Sequence, residues 1–411
     1  MMAIGVVAFV VALLTSVMLH EAGHFLTAKL FGMKATQFFV GFGTTLWSTQ
    51  KGETEYGVKA IPAGGFVKII GMTPLEEVAA EDAPRAFINK PGWQRLIVLV
   101  AGSTMHFILA LVLLFSLAVG WRAHDTGNAR IAKVFACAAP DPNGNCPAGS
   151  TPPPAAGVLQ SGDVIVAVNG RAVNTAVVPD LTTGAKPGTT VKGGDGAAIS
   201  MIKSASGPIN LTVMRHGSEK DLTLNPVVID GVRRVGIGTE PDFVRVGPVA
   251  GVGYAFSAFG QNVTGTFGAL GKVPHAISNI FSTHPPKRTV GDSGASVTSV
   301  VGVARIAGEG FASGGVGGGT GFLLGLIASV NIFVGIFNLF PFLPLDGGHV
   351  AILGYEKLRN AWRRRRHLIA AGPVDLNKLM PFTYGVLVII VAISALILFA
   401  DVSNPVANPF N

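Results

Sequence analysis

Charge is what this chain has least of. Only 13% of its 411 residues are Asp, Glu, Lys or Arg, while 49% are hydrophobic and the mean hydropathy is +0.50. A soluble domain carries about twice that charged share, so a soluble enzyme is excluded. Cysteine is scarce too: Cys137 and Cys146 are the only two. No internal repeat is evident. The first apolar run, Ala3 to Leu19, lacks a basic start and a small-residue cleavage site, so it is expected to stay as an anchor and not to be removed as a signal peptide.

What is present is four apolar runs long enough to cross a bilayer, at about 3–24, 93–120, 321–340 and 382–400. Lys29, Lys34, Lys51, Lys59, Lys68, Arg85 and Lys90 collect between the first two, and Lys357, Arg359 and Arg363 to Arg366 between the last two. Basic loops stay inside, so both segments are expected to face the cytoplasm, with the insert of about 121–320 outside. There the two cysteines can oxidise, closing a short loop around Asp141-Pro142-Asn143-Gly144 and stabilising it by about 2–3 kcal/mol. The net charge of +8 and the run Arg363-Arg364-Arg365-Arg366 hint at nucleic acid. Leu358 and Trp362 flank that run at helical spacing and a span follows, so membrane lipid is the expected partner and nucleic acid is not. Each cation near an anionic surface contributes about 1 kcal/mol.

His20-Glu21-Ala22-Gly23-His24 sits at the inner end of the first run. On a helix the two imidazoles fall on one face, where neutral nitrogens can hold Zn²⁺ with Glu21 beside the metal's water. Ionisable groups at membrane depth are costly unless they serve a function. A catalytic zinc needs a third protein ligand. Asp346, in Leu345-Asp346-Gly347-Gly348 after Pro341 and Pro344, is the natural one, since the third run ends on the same side as His20 and His24. His349 competes for that role, and Asp346 could instead cap the following helix.

With those motifs the chain resembles the site-2 protease family of intramembrane zinc metalloproteases, in the bacterial sigma-factor-regulating branch with a single PDZ domain. The likeness extends through Phe39-Val40-Gly41-Phe42-Gly43, Glu55 to Val67, and Asn404-Pro405. It implies one zinc held by His20, His24 and Asp346, with Glu21 as the catalytic carboxylate. It also implies cleavage of transmembrane segments of single-pass proteins, such as an anti-sigma factor or a remnant signal peptide, after the ectodomain has been shortened. That is regulated intramembrane proteolysis, of the kind used in stress signalling. The chain departs from the family's Gly-Pro-x-x-Asn with Gly102-Ser103-Thr104-Met105-His106, so His106 either replaces that asparagine or hydrogen-bonds between helices. Gly302-Val303 stands where relatives often have Gly-Pro.

Thr54 to Lys59 and Ile61 to Lys68 read as two strands around a Pro/Gly turn, a hairpin that packs the loop or clamps an unwound substrate by strand addition. Gly64, Gly65 and Phe66 are its candidate substrate-binding residues, with Asn338 either contacting substrate backbone or bonding between helices. Gly162-Asp163-Val164-Ile165 and Asn169-Gly170 lie in a β-rich insert that resembles a PDZ domain, acting as end binder, size gate or spacer.

The expected fold is a polytopic α-helical membrane protein with a membrane-associated β-hairpin and an inserted extracytoplasmic PDZ-like α+β domain. Its parts are helix one at 1–31, the inner loop and hairpin at 32–92, helix two at 93–121 and the PDZ-like domain at 126–240. A linker with an amphipathic helix and Gly-rich hinge follows at 241–320, then helix three at 321–352, a basic loop at 353–379 and helix four at 380–400. The expected place is the cell membrane, with the site near the cytoplasmic face. Other classes would be a membrane zinc carrier, which predicts more ligands along the spans than this chain has, or a silent PDZ scaffold, which has no need of Glu21.

Overall fold

The computed structural model describes residues 1–72, 78–121, 124–140, 145–182, 189–280, 288 and 298–406. The chain divides into two compact units, Met1–Trp121 with Gly247–Asn411, and Arg122–Val246.

The first unit is built on long apolar helices. Helix α1 (Met2–Leu30) leads into strands β1 (Ala35–Lys51) and β2 (Thr54–Ile69), and α2 (Gly92–Gly120) follows. After the second unit come α4 (Pro248–Ile280), α5 (Val300–Asn338), α6 (Asp346–Arg365) and α7 (Met380–Ser403). Among the described residues four helical stretches, Met2–Leu30, Gly92–Gly120, Val300–Asn338 and Asn377–Ser403, are long and apolar enough to cross a membrane. The protein is a membrane protein with an inserted β-rich unit.

Small residues let the spans approach closely, as they must where no hydrophobic effect drives helices together. A Cβ on Gly23 of α1 would lie 2.6 Å from the Ala101 carbonyl oxygen of α2, and one on Gly5 would lie 2.6 Å from Phe311 Cβ of α5. Helix α5 is two arms: Gly315, at φ 60° and ψ −165°, interrupts it. In the glycine run read as a hinge, Gly319 turns back on the first arm, since a Cβ there would sit 2.6 Å from the Phe311 oxygen, while Gly315, Gly317 and Gly318 face open space. The second arm shares a core with α1 through Phe9, Leu323 and Ile327 and delivers the chain to Asp346. Leu-Asp-Gly-Gly therefore opens α6 and does not close the third span. A Cβ on Gly347 would overlap the Leu339 and Phe340 backbone, so only glycine allows the 339–345 loop to fold over Asp346.

The strands correct the hairpin reading. Residues 55–58 and 65–68 do not pair with each other; both flank Gln37 to Val40, while Thr45 to Lys51 pairs with Thr54 to Lys59. Each strand bends, at Gly41 and Gly43 (both φ 86°) and at Gly64 (φ 135°), which makes a four-row sheet from two strands. Pro62 has no amide to donate across a tight hairpin, and the aromatic Phe38-Phe39 segment fills the middle row.

The second unit contains β3 (His124–Val134), β4 (Val164–Val168), β5 (Arg171–Ala172), β6 (Val177–Pro179), β7 (Thr190–Lys192), α3 (Gly194–Ser204), β8 (Ile209–Arg215), β9 (Ser218–Leu224), β10 (Val227–Ile229), β11 (Val232–Arg234) and β12 (Ile237–Val244). Its main sheet runs β12-β3-β4-β8-β9, with β5 on β4. Alternating residues Ile165, Leu211 and Val213 join Ile131, Ile209 and α3 in one core. The expected Cys137–Cys146 disulfide is formed; the Asp141 to Gly144 stretch lies outside the described residues.

Candidate metal centre

Three donors converge. His20 and His24 project from one face of α1, their Nε2 atoms 3.1 Å apart, and each lies 3.3 Å from Asp346 Oδ2 at the start of α6. Both histidines are buried. The donor set suits zinc: tetrahedral ligands at about 2.0–2.1 Å from a metal stand about 3.3 Å from one another, which is the spacing of this triangle. Asp346 Oδ2 is buried without a hydrogen-bond partner, as a metal-ligating oxygen would be in the absence of its ion. His20, His24 and Asp346 are the only such trio of His, Cys, Asp or Glu among the described residues, and His349 is not in it.

The surroundings are equally specific. His24 Nδ1 lies 2.7 Å from the Val98 carbonyl oxygen, which accepts its proton and fixes the ring. Glu21 Oε2 accepts a 3.1 Å hydrogen bond from the Val67 N–H of β2, so the last row of the sheet runs directly beside the HExxH turn. Gly65 and Gly64 lie along the same helix: a Cβ on Gly65 would meet Met18 Sδ at 2.5 Å, and one on Gly64 would meet Val17 at 4.0 Å. Phe66 stacks on Phe39 and Phe42, 5.6 and 6.1 Å between ring centres, within the sheet. Asn338, half-buried at the last residue of α5, has no side-chain partner among the described residues.

Sequence reading missed Ser16 and Asn331. With His106 they form a buried polar knot one turn before His20, in which Ser16 Oγ–H and His106 Nδ1 both meet Asn331 Oδ1. His106 is thus hydrogen-bonded between helices. A polar residue inside an apolar run was the available signal, but neither Ser16 nor Asn331 names its partner.

Outside the spans, Glu53, in the turn between β1 and β2, joins Lys29 and Arg85 at 2.5 and 2.7 Å. Hydrogen bonds from Arg85 first, then Lys29, hold its carboxyl down at about 2 despite partial burial.

A His-Glu-x-x-His helix meeting an aspartate within a bundle of apolar helices defines a membrane zinc metalloprotease. The chain belongs to peptidase family M50, whose model matches residues 8–376. It is 34% identical to the zinc metalloprotease Rip1 of Mycolicibacterium smegmatis over 99% of both chains. It is 36% identical to the zinc metalloprotease Rip1 of Mycobacterium tuberculosis over 98% of both. Zinc is its cofactor, and membrane proteins are the class of substrate this family implies.

Proposed function

We propose that this chain cuts within the transmembrane segments of single-pass membrane proteins, such as an anti-sigma factor or a remnant signal peptide, once the ectodomain has been shortened. His20, His24 and Asp346 hold the zinc. When bound, the metal acidifies water and polarises the scissile carbonyl. Glu21 takes a proton from the attacking water and returns it to the departing amine. The Val67 amide keeps the Glu21 carboxylate from swinging away. Residues Gly64 to Phe66 lie in the row adjoining the HExxH turn, where an unwound substrate gains main-chain hydrogen bonds, and Asn338 offers it an unpaired side-chain amide.

The Lys and Arg distribution supports a site near the cytoplasmic face, with the Arg122–Val246 unit, which we read as PDZ-like, on the other side. There it binds a freshly cut end or screens bulky ectodomains. The 3.1–3.3 Å triangle of His20, His24 and Asp346 carries this reading. Its test is zinc content and cleavage of a short-ectodomain substrate after His24→Ala and Asp346→Asn. Both should lose zinc and activity together; retention of full zinc by both would remove the assignment.

A further inference from the structure

The two zinc-site histidines are served unequally by the helix opposite them. On α2, Val98, Gly102 and His106 recur every fourth residue and share one face. At one end of that face the Val98 carbonyl accepts the His24 Nδ1 proton. In the middle Gly102 leaves room for the rings, since a Cβ there would overlap His24 Nε2 and the Cε1–Nδ1 edge of His20. His20 Nδ1 therefore looks onto this surface, yet it is buried with no hydrogen-bond partner. A metal-ligating imidazole ordinarily donates its second N–H to an acceptor, which fixes its tautomer. His24 has that acceptor and His20 lacks one.

His106 stands at the other end, its ring centre 5.0 Å from that of His20. Its tautomer follows from its neighbours. Asn331 Nδ2 donates to the Ile327 carbonyl at 2.8 Å, which turns Oδ1 toward α1 and α2. Oδ1 has no proton to give, so at 2.8 Å it accepts from His106 Nδ1–H. The neutral ring then carries a bare lone pair on Nε2. Ser16, His106 and Asn331 are at most 2% exposed, so solvent does not compete for these positions. Two imidazoles joined by an N–H···N bond also have centres about 5 Å apart, so the rings are close enough to form one although they do not bond here.

We infer that His106 is the outer acceptor of the zinc ligand His20: the bond is not formed in this structure, and a turn of the His20 ring in the metal-bound protein brings its Nδ1–H to Nε2 of His106, holding His20 with Nε2 toward the metal. His106 is a positioning residue that acts through His20, and the Ser16–Asn331 pair sets its tautomer. This rests on the zinc assignment above. The competing acceptor is Ser103 Oγ, also buried and unpartnered on α2.

The test is zinc affinity of the full-length protein in detergent, read by competition with a chromophoric chelator. His106→Leu should weaken zinc binding about 10–100-fold, His106→Gln, which keeps an acceptor, should recover most of that, and Ser103→Ala should leave it unchanged. Asn331→Leu is the second arm should His106→Leu not fold; it leaves His106 in place, frees its tautomer, and should weaken zinc in the same direction. The inference is overturned if His106→Leu, or Asn331→Leu in its stead, binds zinc as tightly as wild type, or if Ser103→Ala is the variant that loses affinity. His20→Ala separates the two levels: loss of zinc there with none in His106→Leu sinks this inference alone, whereas retention in His20→Ala sinks the zinc assignment itself.

Discussion

Asp163 shows how one carboxylate holds a unit together. It is 2% exposed, accepts from the Gln160 N–H at 2.9 Å and pairs with Arg215 at 2.6 Å. Burial alone would raise its carboxyl, but the Arg215 guanidinium and the Gln160 amide outweigh it and hold it below the ordinary carboxylate range. Asp163→Asn leaves Arg215 without its counter-ion and should destabilise the Arg122–Val246 unit by about 3–5 kcal/mol, read as faster hydrogen exchange of β4 and β8 in the full chain. Glu53 makes a pH-dependent counterpart. Its folded value of about 2 lies below the ordinary 4.5, so its contribution is complete above pH 4.5 and is lost as pH falls toward 2. Glu53→Gln should flatten the loss of thermal stability across that window; an unchanged acid profile would count against the Lys29–Glu53–Arg85 cluster. His20, Glu21, His24 and Asp346 were legible in the sequence because their chemistry demands a fixed spacing or a glycine-flanked turn. The Ser16–Asn331 bond was not, since it joins residues 315 positions apart and nothing local marks it.

Between elements, glycines decide what can approach what. Gly102 is the clearest, because any side chain there would occupy the space of both imidazoles. Gly102→Ala should therefore lower cleavage by at least about tenfold, the range seen when a ligand's surroundings are disturbed, while far-ultraviolet circular dichroism stays that of wild type. Wild-type cleavage would mean that the rings reposition freely. Apolar length alone made the spans readable. The sheet was only half readable: Thr54 to Lys68 has turn and strand signals, whereas β1 is a run of aromatics and glycines whose role appears only when it pairs on both sides. The break before Asp346 was readable from Pro341 and Pro344, although the helix that Asp346 opens was counted with the third span.

At the scale of the molecule, the chain combines an apolar helical unit with a β-rich one that has its own core and its own cross-link. The disulfide bridges residues nine apart and should contribute about 2–3 kcal/mol. Reduction should therefore raise protease sensitivity within Arg122–Val246 and leave the helical unit intact, as limited proteolysis followed by mass spectrometry would show. The account as a whole turns on Glu21, a carboxylate beside three metal donors at the end of a membrane span. The most direct measurement is cleavage of a single-span, short-ectodomain substrate by the zinc-loaded protein in liposomes, comparing wild type with Glu21→Gln. The account predicts a fragment cut within the span from wild type and none from the variant; equal cleavage by both would contradict it.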